Sequence, residues 1–167
     1  MKPRDANGRS SEPAPQLAGH RFAIVAARFY RELTDWMIDG AQRALADCGV
    51  MNEDIDVVEV PGCFELPLAC RKLIDADRYD AIVALGVVIR GETAHFDFVA
   101  GECARGIMDV QLEAGVPIGF GVLTTENLAQ AQERADPARG DKGYEAAMAA
   151  AALINIPSKL PRAGFRS

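Results

Sequence analysis

Four times along this chain a short strand-like run gives way to a stretch patterned for a helix. That alternation is the tightest constraint on the fold. Parallel strands need a crossover of a dozen or more residues between them, and a helix is the usual way to supply it. The runs are Phe22–Ala27, Ile55–Val60, Asp80–Ile89 and Ile118–Leu123. Phe22–Ala27 is continuous and apolar, as suits a strand covered on both faces. Asp80–Ile89 is the most hydrophobic of them and is the candidate for the sheet's centre.

The intervening segments carry the other period. Leu33, Trp36, Met37, Gly40, Ala41, Ala44, Leu45 and Cys48 are spaced 3, 1, 3, 1, 3, 1, 3, one stripe of a helix. Gly49 is a C-cap for it. Phe64–Ala76 reads as a helix with Pro67 in its first turn, where proline is tolerated. A third helix runs from about Phe96 to Glu113, before Gly115 and Pro117. Thr125 is expected to cap a short helix, Glu126–Ala135, with Glu126 in its first turn. The loop Asp136–Gly143 leads to an alanine-rich helix, Tyr144–Ile156. The result is a three-layer α/β sandwich around a parallel sheet. A length of 167 residues suits one domain. Residues 1–19 read as a flexible arm, 20–157 as the domain and 158–167 as a C-terminal tail.

Charge and cysteine usage narrow the class. Lys and Arg number 18 against 24 Asp and Glu, a net charge of −6. A general nucleic-acid or anionic-membrane binder normally shows a basic face instead. No uncharged run reaches the roughly 20 apolar residues of a membrane span. The first residues lack the apolar stretch of a secretory signal. The cysteines at 48, 63, 70 and 103 have neither a CxxC nor a paired spacing. They read as small buried residues in a reducing, cytoplasmic setting, with no disulfide framework or zinc site.

Ligands of open parallel sheets sit outside the carboxyl ends of the strands. That rule selects four turns: Arg28–Tyr30, Gly62–Glu65, Arg90–His95 and Thr124–Thr125. Each turn aromatic alone could equally cap the sheet's end, but two on adjacent turns favour a planar ligand. His95 begins a helix, whose positive end favours a neutral imidazole able to accept a proton. A capping or solvated histidine fits the residues as well. Arg90–Thr93 could cradle an anion with backbone N–H groups. Arg134 and Lys142 flank the last loop and could be surface charge or phosphate ligands. GxGxxG, GxxxxGK[ST] and GxSxG are all absent. The residues alone give a site for a planar ring and an anion, with one histidine for proton transfer.

At these same turns the chain resembles the lumazine synthase family of riboflavin biosynthesis. The resemblance is carried by Ala27–Phe29, Val60–Pro67, Ala84–Val99 and Gly119–Ala135, followed by Lys142-Gly143, and extends from about residue 20 to 156. It implies a flavodoxin-like four-stranded sheet. It also implies a cofactor-free and metal-free condensation of 5-amino-6-(D-ribitylamino)uracil with 3,4-dihydroxy-2-butanone 4-phosphate, giving 6,7-dimethyl-8-ribityllumazine, phosphate and water. Roles follow by resemblance. Phe29 stacks on the pyrimidine. Cys63, Phe64 and Glu65 hold the ribityl chain and ring edge. Val87, Val88 and Ile89 present backbone to the heterocycle. Glu92, Thr93 and Arg134 bind phosphate, and His95 moves protons. Lys142 lies near the ribityl or phosphate end, and Phe120 reaches the ring from a neighbouring subunit.

The resemblance further implies self-association into a pentamer, with sites at subunit interfaces. The short 136–143 loop is compatible with a shell of twelve pentamers. The segment before Phe22 is expected to add a strand to a neighbour's sheet. Four departures stand out: Tyr30 for a usual Asn, Cys63 for Ala, Asp136 for Gly, and Glu92 beside the expected phosphate. A lumazine or flavin receptor without turnover, and a shell protein with a vestigial site, are the alternatives. Arg134, Lys142 and the Gly91-Glu92-Thr93 turn speak against the first, and His95 and Arg134 against the second.

Overall fold

The computed structural model describes residues 13–157. The first twelve residues of the arm and the tail 158–167 lie outside the described residues. Four parallel strands form one sheet in the order β2-β1-β3-β4, with β1 Phe22–Ala27, β2 Ile55–Val60, β3 Ala81–Ile89 and β4 Ile118–Thr125. Helix α1 (Arg31–Asp47) joins β1 to β2, α2 (Leu66–Asp75) joins β2 to β3, and α3 (His95–Ala114) joins β3 to β4. Helices α4 (Leu128–Ala135) and α5 (Lys142–Ile154) end the described chain.

The apolar runs are explained by two cores, one on each face. Phe22 and Ile24 of β1 and Val83 and Leu85 of β3 pack with α1, α4 and α5. Their neighbours Ala23, Val25, Ile82 and Ala84 pack with α2 and α3. Every residue of β1 is therefore buried. β3 takes the interior position that its hydrophobicity suggests. The chain steps from β1 outward to β2, then back across β1 to β3. Crossovers of one hand then require α1 on one face and α2 and α3 on the other. The reversal leaves a crevice beyond β1 and β3, where such sheets bind ligands.

Helix ends follow their local chemistry, with one correction. Gly49 and Gly115 adopt positive φ (81° and 67°) just past α1 and α3. The expected cap at Thr125 is displaced. Thr125 still pairs with Ile89 in the sheet, so the helix cannot begin beside it. Asn127 caps α4 instead, its side chain accepting the Gln130 N–H at 2.9 Å. Glu126 thus precedes α4, and its carboxylate meets Arg90 at 2.8 Å. At the other end of the chain, Leu17 is buried and its N–H bonds the Cys48 carbonyl at 2.7 Å. The segment just before β1 thus folds onto its own subunit.

Helices α1 and α5 approach closely enough to fix where α5 starts. A Cβ on Gly143 would fall against the Met37 backbone of α1. Just before it, buried Asp141 takes a left-handed conformation (φ 49°) and binds Arg43 of α1 through two hydrogen bonds of 2.8 and 3.2 Å. On the opposite face, Cys63, Cys70 and Cys103 share the α2/α3 core. Burial pushes each of these thiols up to about 12.

Two outcomes follow. Gly143→Ala should cost about 1–3 kcal/mol of stability through overpacking, read as a lower urea midpoint; an unchanged midpoint would contradict the close approach. Iodoacetamide near pH 8 should spare Cys63, Cys70 and Cys103 in the native protein and label them in denaturant, because the thiolate is the reactive form. Native labelling of any of the three would contradict their burial as thiols.

Candidate functional site

The sheet builds the site by running its strands to different lengths. β3 pairs with β1 only as far as Leu85, but with β4 as far as Ile89. Its last residues therefore overhang β1, with backbone groups on that side outside the β1 ladder. A cavity of about 660 Å³ fills the space. Its lining comes from the ends of three strands: Phe29 and Tyr30 after β1, Cys63, Phe64 and Glu65 after β2, and Val87, Val88, Ile89, Thr93 and His95 from β3 and beyond. Three of the four turns selected by the carboxyl-end rule thus converge.

Each group is held by a definable local cause. Phe29 is 77% exposed, and its ring meets the Tyr30 ring in an edge-type contact, with centroids 5.0 Å apart and an interplanar angle of 70°. The Gly62–Glu65 turn is closed by Glu65 itself, whose carboxylate accepts the Gly62 N–H at 3.0 Å. Cys63 is 5% exposed, with Sγ 3.8 Å from the Val87 carbonyl. Its thiol is pushed up mainly by burial, so it packs the cavity floor and is unsuited to act as a nucleophile. His95 opens α3, its N–H donating to Thr93 Oγ1 at 3.4 Å. The start of this 20-residue helix, with its unpaired N–H groups, is favourable ground for an anion.

Arg90 steadies the turn before α3. Its guanidinium bonds Glu126 at 2.8 Å and Asp97 at 3.3 Å and lies 4.3 Å from the Phe96 ring centroid. Its N–H reaches the Thr125 carbonyl at 2.9 Å. Glu92 is exposed and does not line the cavity.

A second cavity, of about 400 Å³, lies along β4, an edge strand of the sheet. Phe120 and Thr124 of β4, Arg134 of α4 and Lys142 and Glu145 of α5 line it. Lys142 Nζ is 2.8 Å from a Glu145 carboxylate oxygen. Arg134 donates to the Gln130 carbonyl at 3.1 Å, and among the described residues no carboxylate lies within ion-pair distance of it. So the structure gathers Phe29, Cys63, Phe64, Glu65, Val87, Val88, Ile89, Thr93 and His95 in one cavity. It places Phe120, Arg134 and Lys142 in another. Thr93 and Arg134, expected at one phosphate, do not meet within a single chain.

Some lining residues were not singled out by sequence. Phe96, Phe98 and Val99 enter the first cavity from the start of α3, and Glu145 enters the second. Their signal was present as helical spacing: Phe98 and Val99 stand three and four residues after His95, and Glu145 three after Lys142. Among the described residues no cluster of three His, Cys, Asp or Glu side chains is placed to hold a metal. No helix among them is long and apolar enough to cross a membrane.

Comparison with known proteins identifies the family. The family model described as 6,7-dimethyl-8-ribityllumazine synthase matches residues 19–158. A 6,7-dimethyl-8-ribityllumazine synthase of Edwardsiella ictaluri is 52% identical over 144 residues, covering 86% of this chain and 90% of that protein. One from Nitratidesulfovibrio vulgaris is 46% identical over 142 residues, covering 85% and 91%. Over nearly the whole described domain, then, this chain belongs to the 6,7-dimethyl-8-ribityllumazine synthase family.

Proposed function

We propose that this chain condenses 5-amino-6-(D-ribitylamino)uracil with 3,4-dihydroxy-2-butanone 4-phosphate to 6,7-dimethyl-8-ribityllumazine, releasing phosphate and water. The observation that carries the reading is the presence of two unlike cavities on one chain. One offers aromatic rings, overhanging backbone and a histidine; the other offers an arginine without a carboxylate partner.

In the first cavity Phe29 stacks on the pyrimidine. The β3 overhang at Val87–Ile89 hydrogen-bonds the ring, and Cys63–Glu65 take the ribityl side. The ring's amine adds to the ketone, and loss of water gives the imine. Phosphate is then eliminated, and ring closure expels a second water. His95 takes up a proton as the amine adds and returns it to a departing group. Holding two substrates in reacting geometry supplies much of the acceleration. Thr93 and the α3 N-terminus receive the phosphate, with Arg134 as its charged ligand. Lys142 serves the ribityl or phosphate end. Glu92 keeps its side chain turned away from the anion.

Within one chain the Arg134 cavity is separate from the His95 cavity, so the reading requires a second copy. Its β4 edge, with Phe120, Arg134 and Lys142, abuts the first cavity. A cyclic pentamer satisfies this geometry, since a head-to-tail interface closes into a ring. A shell of pentamers is the preferred larger assembly, and the cytoplasm the preferred location. The functional unit is the 20–157 domain, with 1–19 as an arm and 158–167 as a tail.

Mixing the purified protein with both substrates should generate lumazine fluorescence. His95→Ala should lower kcat about tenfold or more, and Arg134→Ala should raise KM for the phosphate substrate roughly ten- to hundredfold, both with folding intact. Binding of lumazine without any turnover would favour a receptor instead. Unchanged kinetics in both variants would overturn the site assignment.

A further inference from the structure

The turn after β1 is fixed more firmly than its exposure suggests. Phe29 projects into the first cavity with most of its surface open, and a phenylalanine so placed can occupy several rotamers. Its neighbour cannot move so freely. Tyr30 is half-buried and packs against the core beneath α1. Its carbonyl accepts both the N–H and the hydroxyl of Thr34, at 3.0 and 3.1 Å. Thr34 is fully buried, and its Oγ1 also accepts from Arg28 at 3.0 Å. The Arg28 side chain is only 9% exposed and lies between Asp35, at 2.6 Å, and Glu59 of β2, at 3.2 Å. A continuous set of contacts therefore runs from β2 through Arg28 and Thr34 to the Tyr30 carbonyl, while the Tyr30 side chain packs against the core. The Tyr30 ring then meets Phe29 edge-to-face.

We propose that Tyr30 is a positioning residue that sets the plane of the Phe29 ring before substrate arrives, and so governs affinity for the pyrimidine substrate rather than for the phosphate substrate. The inference rests on the reading of the first cavity as the pyrimidine site. Its physical basis is preorganisation: a ring already held in its stacking orientation loses less freedom when a planar ligand settles on it. The edge of one ring against the face of another supplies the hold, and the ring rather than the hydroxyl is the active part.

The test is steady-state kinetics on three proteins, with each substrate varied in turn. Tyr30→Leu keeps apolar bulk against the core but removes the ring that meets Phe29. It should raise KM for the pyrimidine about two- to tenfold and leave kcat and the other KM within about twofold of the parent. Tyr30→Phe keeps the edge and should match the parent in all three parameters. An unchanged pyrimidine KM in Tyr30→Leu would overturn the proposal. So would an equal rise in both KM values, which marks general loosening, or a Tyr30→Phe variant as impaired as Tyr30→Leu. A parent protein that forms no lumazine would defeat the function reading itself, and this inference with it.

Discussion

The structure hangs on one strand. β3 is buried on both faces, pairs with β1 on one side and β4 on the other, and outruns β1 by several residues. Its burial commits it to the middle of the sheet and its length creates the overhang. Hydrogen bonding to β4 continues to Ile89, so the overhang is rigid on one side and open on the other. The first cavity occupies that open side. The turn to α3 begins where the ladder ends, and this places Thr93 and His95 at the rim. Shortening β3 would remove the cavity's backbone wall and its histidine together.

Charge is arranged around the same edge. The chain is net acidic, at −6, yet the proposed reaction consumes an anion. In a pentamer that acidity multiplies, and only local cations can counter the wider field. Most of the described arginines are already engaged. Arg28, Arg43, Arg71, Arg90, Arg105 and Arg139 each lie against carboxylates. Arg134 instead bonds a backbone carbonyl beside a cavity. An arginine left unneutralised in an acidic protein is where an anion gains most, because it can bind bidentately without displacing a carboxylate.

Much of this was legible in the residues, because for β1 and β3 burial on both faces writes itself as largely unbroken apolar runs. The strand spans and the α1 stripe followed from period alone. The α4 cap was misplaced because Thr125 and Asn127 are both good capping residues. What decides between them is the Ile89–Thr125 pairing, a contact 36 residues apart that local pattern does not show. Of the four turns selected by the carboxyl-end rule, three line the first cavity, while Thr124 of the fourth lines the second. The division into two cavities was not visible as geometry, since spacing along a chain does not say which side of an edge strand a helix will cover. Cys63 is the contrary case: the sequence reads it as a small buried residue, and its packing agrees, with burial pushing the thiol up to about 12.

The central claim is that the histidine half and the arginine half of one working site come from different copies of the chain. Subunit mixing tests it most directly. His95→Ala and Arg134→Ala proteins, each impaired alone, would be dissociated, combined in equal amounts and reassembled. Random assortment places an intact His95 opposite an intact Arg134 in about one quarter of the interfaces of a ring. Activity well above the average of the two variants assayed separately is the expected result. A mixture no more active than that average, with mixed assemblies demonstrated, would contradict a site shared between subunits.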